Sequence, residues 1–343
     1  MAVDQRLSQH TQVGDDRMLS RRRFMIVVGG SVMASPFAAR AQVPARMRRI
    51  AWLGLGRADM PSPYVEALRS GLRDFGWIES RNLGISLYWA RGREDMDAVA
   101  RQLVASDPEV IITQELMVYA VQPLQPASAI VFGFSGDPVD GKLVHSFARP
   151  GGNLTGMTYL ALELVGKRIQ LLKEWVPRTR RIAILARPQH PGEHRERQAS
   201  EEAAGTLGIN FSYFPIRDLA ELDKAFRAIV QDRCDALIVF PDSAMFNVSE
   251  RIARFASEAR LPSVSGWAPF AQNGLLFTYG PNVRELYRSL ARYVDRILRG
   301  AKPADLPVEQ PTKFEFVINM KTAKALGLTI PPSFLLRADE VIQ

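Results

Sequence analysis

The sequence predicts an α/β protein of two doubly wound parallel-sheet lobes, joined by a hinge that the chain crosses several times. Its 343 residues suggest about two domains. Short apolar runs alternate with amphipathic stretches, and the alternation begins again after residue 157, which is typical of two α/β sheets. A C-terminal tail departs from this alternation. We therefore predict lobe 1 in residues 42–157 plus about 280–313, and lobe 2 in residues 158–279 plus about 314–343.

The first run of elements lies between residues 49 and 133. Its predicted strands are short and apolar, as strands buried on both faces are. Between them, apolar residues recur at spacings of three and four; Val65, Leu68 and Leu72 form one such stripe, which predicts an amphipathic helix. The predicted strands are 49–55, 82–88, 109–113 and 129–133, and the predicted helices are 64–75 and 96–105.

The second run repeats the pattern and is followed by the tail. Its predicted helices are 162–176, 193–207, 219–230 and 248–259, and its predicted strands are 181–186, 210–214, 236–240 and 262–265. In the tail, a helix over 282–298 ends at Gly300, a residue that often stops helices. A proline-rich stretch, a strand over 313–318 and a helix over 322–326 follow. We expect the chain to cross between lobes near 156–158, 279–281 and 313–316, which is an arrangement that can hinge.

The N-terminus has the zones of an export signal. Ser20-Arg21-Arg22-Arg23-Phe24 precedes an apolar run over 25–39, and Ala39-Arg40-Ala41 is a small-x-small cleavage pattern. The run is shorter than the roughly 20 residues that span a bilayer. The arginine pair resembles a twin-arginine signal, and an ordinary Sec signal is the alternative. We expect cleavage near Ala41/Gln42 and a mature protein in the periplasm.

Composition and spacing exclude several functional classes. Removing the six arginines and three aspartates of residues 1–41 from the chain's 44 basic and 36 acidic residues leaves 38 basic and 33 acidic, scattered rather than clustered. This argues against nucleic-acid binding. One cysteine, Cys234, and four histidines predict no metal site. Asp59 stands where a dinucleotide fingerprint beginning at Gly54 needs its third glycine, so no cofactor is predicted. No acid–base pair or nucleophile motif predicts a catalytic residue.

The remaining chemistry points to binding of a small polar molecule. In open parallel sheets, ligands lie beyond the carboxyl ends of the strands. Hydroxyls, glycines, carboxylates and aromatic rings occur at or near these ends and at the predicted crossings. The candidate ligand-binding residues are Gly56, Arg57, Gln114, Glu115, Ser135, Asp137, Thr158, Asp242, Ser243, Trp267 and Tyr279.

Two strand ends are favoured for an amino acid or another carboxylate. Ser135 to Asp137 would hold the carboxylate at the N-terminus of a following helix. Asp242 and Ser243 would take an ammonium and a hydroxyl, and Trp267 would cover an apolar or cationic side chain. The alternative interpretation is that Asp137 and Asp242 only cap the helices after them.

Several stretches resemble one family, in order along the mature chain. They include GLRDFGW at 71–77, Asp137-Pro-Val139, SFARPGGNLTG at 146–156, ILRGAKPADLPVEQPTKFE at 297–315 and NMKTAKALGLTIPP at 319–332. The family is that of the extracytoplasmic substrate-binding proteins of ABC transporters, of the tryptophan/tyrosine-binding type. The resemblance implies a type I periplasmic-binding-protein fold, a small solute in an interlobe cleft, and a membrane permease with its ATPase as partners. Membrane contact would come only through the permease, and we expect a monomer.

One departure from the family pattern concerns the cleft. Thr113-Gln114-Glu115 stands where the family more often shows small residues, so Glu115 would fill the cleft or change its charge. Two alternatives to an importer subunit stay open. One is an exported sensor that presents its closed form to a membrane receptor, and the other is an exported enzyme using Asp137 or Asp242.

Overall fold

The computed structural model describes residues 47–56, 59, 62–159 and 162–343, and the strands of that part form two sheets. The first sheet has the order β2-β1-β3-β4-β5, and all its neighbouring strands are parallel. Its central strands β3 and β4 are buried along their whole length, which explains their unbroken apolar sequences. The strands are β1 (Arg48–Leu55), β2 (Leu83–Ala90), β3 (Val110–Gln114), β4 (Ala129–Phe134) and β5 (Leu154–Thr158).

Helices from two distant parts of the chain cover the first sheet. Three come from the same part of the sequence: α1 (Pro63–Asp74), α2 (Met96–Ala105) and α3 (Met117–Val121). A later helix, numbered α10 (Val283–Leu298) in chain order, packs on α1 and contacts β4 and β5. A Cβ at Gly71 would lie 2.3 Å from the Arg288 carbonyl oxygen, so α1 needs glycine there to approach α10 this closely.

The second sheet has seven strands in the order β12-β11-β10-β9-β8-β6-β7. One pair, β10–β11, is antiparallel and the others are parallel. The strands are β6 (Arg181–Ala186), β7 (Asn210–Pro215), β8 (Ala236–Val239), β9 (Ser263–Ser265), β10 (Phe277–Pro281), β11 (Phe314–Asn319) and β12 (Glu340–Ile342). The remaining helices are α4 (Glu163–Trp175), α5 (Glu193–Thr206), α6 (Leu222–Gln231), α7 (Ser243–Asn247), α8 (Ser249–Glu258), α9 (Ala268–Gln272), α11 (Met320–Ala325) and α12 (Pro332–Arg337).

The chain passes between the two sheets more than once. It leaves the first sheet after β5, returns to it as α10, and rejoins the second sheet as β11. The proline-rich tail runs beside β5 on the way: Thr158 donates its N–H to the Glu309 carbonyl oxygen at 3.0 Å, and Glu309 donates to that of Gly156 at 3.2 Å. The prediction of two α/β lobes is therefore confirmed.

The helix expected after Asp137 is absent from the structure, and that prediction was wrong. The Asp137 carboxylate accepts hydrogen bonds from the N–H groups of Val139, at 2.8 Å, and Asp140, at 3.1 Å. The side chain thus closes a local turn, and successive turns follow it. No helix N-terminus is available at residues 135–137 to attract a carboxylate.

Two further expectations concern the membrane and export. The predicted export signal lies outside the described residues. Among the described helices, none is both long and apolar enough to cross a bilayer.

Candidate functional site

The carboxyl ends of the two sheets face each other, and polar side chains join the lobes there. Gln114, at the end of β3, donates from Nε2 to the Ser243 hydroxyl oxygen at 3.1 Å. Arg195, on α5 of the second lobe, forms ion pairs with two carboxylates of the first lobe. Its distance to Asp137 is 3.7 Å, and it also pairs with Asp140. The two lobes therefore meet at the edge where parallel sheets place their ligands, and this junction between them is called the interlobe cleft.

Glu115 directly follows β3, on the first-lobe side of this cleft. Its side chain is buried, and it accepts hydrogen bonds from the Ser135 and Tyr159 hydroxyls. Burial raises the pKa of Glu115 to about 8; the two hydroxyls oppose that rise, and the charge of Asp242 across the cleft adds to it. The carboxyl group is therefore mostly protonated at neutral pH.

Aromatic rings from both lobes form a connected cluster that contacts Glu115 through Tyr159. The Tyr287 ring centroid lies 4.9 Å from that of Tyr64, 5.3 Å from that of Trp52 and 6.5 Å from that of Tyr159. Tyr159 also meets Trp267 of the second lobe edge-on, at 5.7 Å. The Trp52 indole N–H and the Tyr287 hydroxyl are buried without a hydrogen-bond partner. Such groups require a water or a ligand, because an unpaired buried donor is costly.

Charged residues form the second-lobe side of the cleft. Asp242 caps α7 by accepting from the Met245 N–H at 2.7 Å, and its other oxygen lies 3.4 Å from Arg187. Behind this pair, Arg168 and Glu196 are 3.7 Å apart and both are buried. Every negative charge in this group thus has an arginine beside it.

His190 is buried in the same charged group, and neither ring nitrogen has a partner. Burial lowers the pKa of His190 to about 4, with Asp242 opposing and Arg187 assisting the shift. The ring is therefore neutral at pH 7, and its 3.9 Å approach to Glu196 is not an ion pair. Burial raises the pKa of Glu196 to about 7, against the charge of Arg168.

Comparison with known proteins identifies the family. A family model described as "ABC transporter substrate binding protein" matches residues 61–342. The chain belongs to this family. The family resemblance noted in the sequence is thereby confirmed.

Similar individual proteins agree with this assignment. The substrate-binding protein is 23% identical to the tyrosine-binding protein of Clostridioides difficile (strain R20291) over 266 residues, 75% of this chain and 74% of the relative. A conserved domain protein from Vibrio cholerae has a TM-score of 0.78 at 25% identity, over 86% of this chain and 100% of that one. The ABC domain in complex with L-Trp from "Streptococcus pneumonia" has a TM-score of 0.80 at 20% identity, with the same coverage.

Most of the predicted ligand-binding residues lie around the cleft of this substrate-binding protein. Gln114, Glu115, Ser135 and Ser243 are joined by the contacts above, and Trp267 reaches them through Tyr159. Asp242 is a helix cap and an ion-pair partner at the same edge.

The other predicted residues have structural contacts or lie at the margin. The Thr158 hydroxyl donates to the Gly136 carbonyl oxygen at 2.7 Å. The Gly56 N–H donates to the Ala90 carbonyl oxygen at 2.9 Å. Tyr279 packs its ring on Phe316 in the second-lobe core, 5.9 Å between centroids. Arg57 lies outside the described residues.

Sequence reasoning predicted Trp267 but missed the tyrosines of the aromatic cluster. Tyr159 follows β5, a five-residue strand that the first-run prediction did not include. Tyr287 and Tyr64 lie on the amphipathic helices α10 and α1, and the helical period predicts ordinary core positions for them. A signal was present for Tyr159, since it directly follows the Leu154–Thr158 run.

Proposed function

We propose that this substrate-binding protein captures an amino acid or a related small carboxylate in its interlobe cleft, outside the cytoplasm. It delivers that solute to an ABC permease powered by an ATPase. The N-terminal sequence supports export, because its basic, apolar and small-residue zones are those of a signal peptide.

One observation carries the proposal: polar residues at the strand ends of both lobes contact each other directly. The hydrogen bond from Gln114 to Ser243, at 3.1 Å, joins residues 129 positions apart. A solute between these ends would be held by both lobes and would stabilise their closed arrangement. Closed and open forms then differ in affinity for the solute, which is the requirement for ligand-driven closure.

The solute class follows from the chemistry of the cleft and from the relatives. Buried aromatic rings, two unpaired donors and charged groups suit a zwitterion with a flat or apolar side chain. The relatives named for tyrosine and solved with L-Trp support the same class.

A thermal-shift screen against amino acids and small carboxylates tests capture. A ligand at about 100 times its dissociation constant should add about 2.7 kcal/mol of stability. Small-angle scattering should then show a smaller radius of gyration at saturation. A screen without a stabilising compound, or unchanged dimensions at saturation, would contradict capture by closure.

A matched pair of variants distinguishes an effect on solute binding at the cleft from a general loss of stability. Gln114→Ala removes the amide-to-serine hydrogen bond between lobes. Asn273→Ala removes a similar bond, from the Asn273 amide to the Ser249 hydroxyl at 2.7 Å, inside the second lobe. We expect only Gln114→Ala to weaken solute binding, by about 5-fold for a loss of about 1 kcal/mol. Equal losses in both variants would place the effect in general stability.

Uptake of the radiolabelled solute by the native organism tests delivery. Deleting the gene should abolish high-affinity uptake, and the wild-type gene should restore it. Normal uptake combined with a lost transcriptional response to the solute would favour the sensor alternative.

A further inference from the structure

Glu115 occupies an unusual backbone conformation. Its φ is +53°, in the left-handed region that residues other than glycine rarely adopt. This conformation follows the last residue of β3, and the Glu115 N–H donates to the Gly133 carbonyl oxygen at 2.9 Å. Backbone strain of this kind costs on the order of 1–3 kcal/mol and concentrates at functional sites. Here the strained residue carries the buried carboxyl group that contacts the Ser135 and Tyr159 hydroxyls.

Glu115 also differs from the other buried acids in its electrostatic surroundings. Five acidic side chains are buried in the described part of the chain, and four of them pair with an arginine. Glu115 alone has no basic partner there, only the Ser135 and Tyr159 hydroxyls. The four paired acids are Glu193 with Arg197, Glu196 with Arg168, Asp242 with Arg187 and Asp295 with Arg299.

The rings around Glu115 favour a positive charge at the same place. The faces of Tyr and Trp rings attract cations, and the charge of Glu115 acts on the hydroxyls of Tyr64, Tyr159 and Tyr287. The unpaired Trp52 N–H and Tyr287 hydroxyl provide donors for an acceptor atom of the same solute. Donors without acceptors and an acid without a basic partner, all in one cluster, indicate a ligand that supplies the missing partners.

We infer that Glu115 selects solutes that carry a protonated amine and binds that amine on the first lobe among the surrounding tyrosines. The inference rests on the proposed function, since it names the solute class of the same cleft. A protonated amine supplies the positive charge that a buried carboxylate lacks, whereas a neutral or purely anionic solute does not. Asp242 is less suited to this role because its two oxygens are held by α7 and Arg187.

Amine binding should be linked to proton release. With its pKa raised to about 8, Glu115 holds a proton below that pH in the empty protein. The proton must leave to solvent when an ammonium group binds to the carboxylate. If the amine stays protonated, affinity should therefore rise about 50-fold between pH 6 and pH 8, following the ionised fraction. The groups that face Glu115 from the surrounding elements are Tyr64, Ser135, Tyr159, Asp242 and Tyr287.

Matched probes test the inference by titration calorimetry and thermal shift. Tryptophan and tyrosine carry both an amine and a carboxylate. Tryptamine and tyramine carry only the amine, whereas indole-3-propionate and 3-(4-hydroxyphenyl)propionate carry only the carboxylate. We expect wild-type protein to bind an amine-bearing probe at least 10-fold more tightly than its amine-free partner. Glu115→Gln should lose that preference and the pH dependence, and should release no proton in buffers of different ionisation enthalpy.

A second buried acid supplies the control. Asp295→Asn neutralises a carboxylate on α10 that pairs with Arg299 at 2.6 Å, so it should change stability and leave the amine preference intact. Amine-free acids that bind as tightly as tryptophan or tyrosine, or an unchanged preference in Glu115→Gln, would overturn the inference and leave solute capture standing. If none of the probes and no other amino acid or small carboxylate binds, the proposed function fails together with the inference.

Discussion

Arg195 provides a direct test of closure, because its side chain links the second lobe to two carboxylates of the first lobe. It extends from α5 and pairs with Asp137, at 3.7 Å, and with Asp140. In an open form these ion pairs would break. Arg195→Ala should therefore weaken solute binding without altering any residue that faces the solute.

The magnitude follows from the exposure of the three side chains. The side chain of Arg195 is 36% exposed, that of Asp137 is 20% exposed and that of Asp140 is 45% exposed. Ion pairs at such sites contribute about 0.2–1 kcal/mol each. Two pairs together give about 1 kcal/mol, which corresponds to a roughly 5-fold weaker dissociation constant. Since salt screens exposed charges, the difference in affinity between the wild type and Arg195→Ala should largely vanish at 1 M salt, where the Debye length is about 3 Å.

Arg197 on the same helix is the matched control. Its guanidinium pairs with Glu193 at 3.3 Å and lies 5.3 Å from the Tyr213 ring centroid, both in the second lobe. Titration calorimetry at low and high salt should show weaker binding for Arg195→Ala and wild-type binding for Arg197→Ala. Wild-type affinity in Arg195→Ala at low salt, or an equal loss in both variants, would refute the reasoning.

Three further predictions concern stability and reactivity. A Cβ at Gly280 would lie 1.8 Å from the Gly266 carbonyl oxygen, so Gly280→Ala should lower the free energy of unfolding in urea by about 3 kcal/mol; Gly205→Ala, with open space within α5, should raise it by about 0.5–1 kcal/mol. Burial and the charge of Asp232 raise the pKa of Cys234 to about 12, so iodoacetamide at pH 8 should label the thiol only in urea, and rapid labelling of the native protein would contradict this. Folding raises the pKa of Glu115 from 4.5 to about 8, so the wild-type protein loses stability as the pH rises between those values. The melting temperature of Glu115→Gln relative to wild type should therefore increase from pH 5 to pH 8. A difference in melting temperature that does not change with pH would argue against a titrating Glu115.

Much of the architecture could be predicted from local sequence. The apolar runs over β3 and β4 are long enough for a strand and lack the alternation of a half-exposed one, so they indicate strands buried on both faces. Stop and start signals were also local: Asn282 accepts a hydrogen bond from the Glu285 N–H at 2.8 Å and begins α10. The short elements β12, α3 and α9 have too few residues to show a period, and tertiary packing decides them.

The polar half of the site could be predicted because strand ends converge in a parallel sheet. Gln114, Ser135 and Ser243 each lie at or just beyond a strand, and the topology brings them to one edge. The helix expected after Asp137 failed for a local reason, since the carboxylate closes a turn with the next backbone N–H groups.

The aromatic cluster and the charge pairing were decided only by the tertiary structure. Tyr159 meets Glu115 across 44 residues, and Arg187 meets Asp242 across 55. A tyrosine that faces a cleft and one that faces a core have the same helical or strand period, so periodicity does not distinguish them. Whether a buried acid has a basic partner likewise depends on which distant elements pack together. Glu115 is visible in the sequence as an acid after a buried strand, and its lack of a positive partner is visible only when both sheets, α1 and α10 have assembled around it.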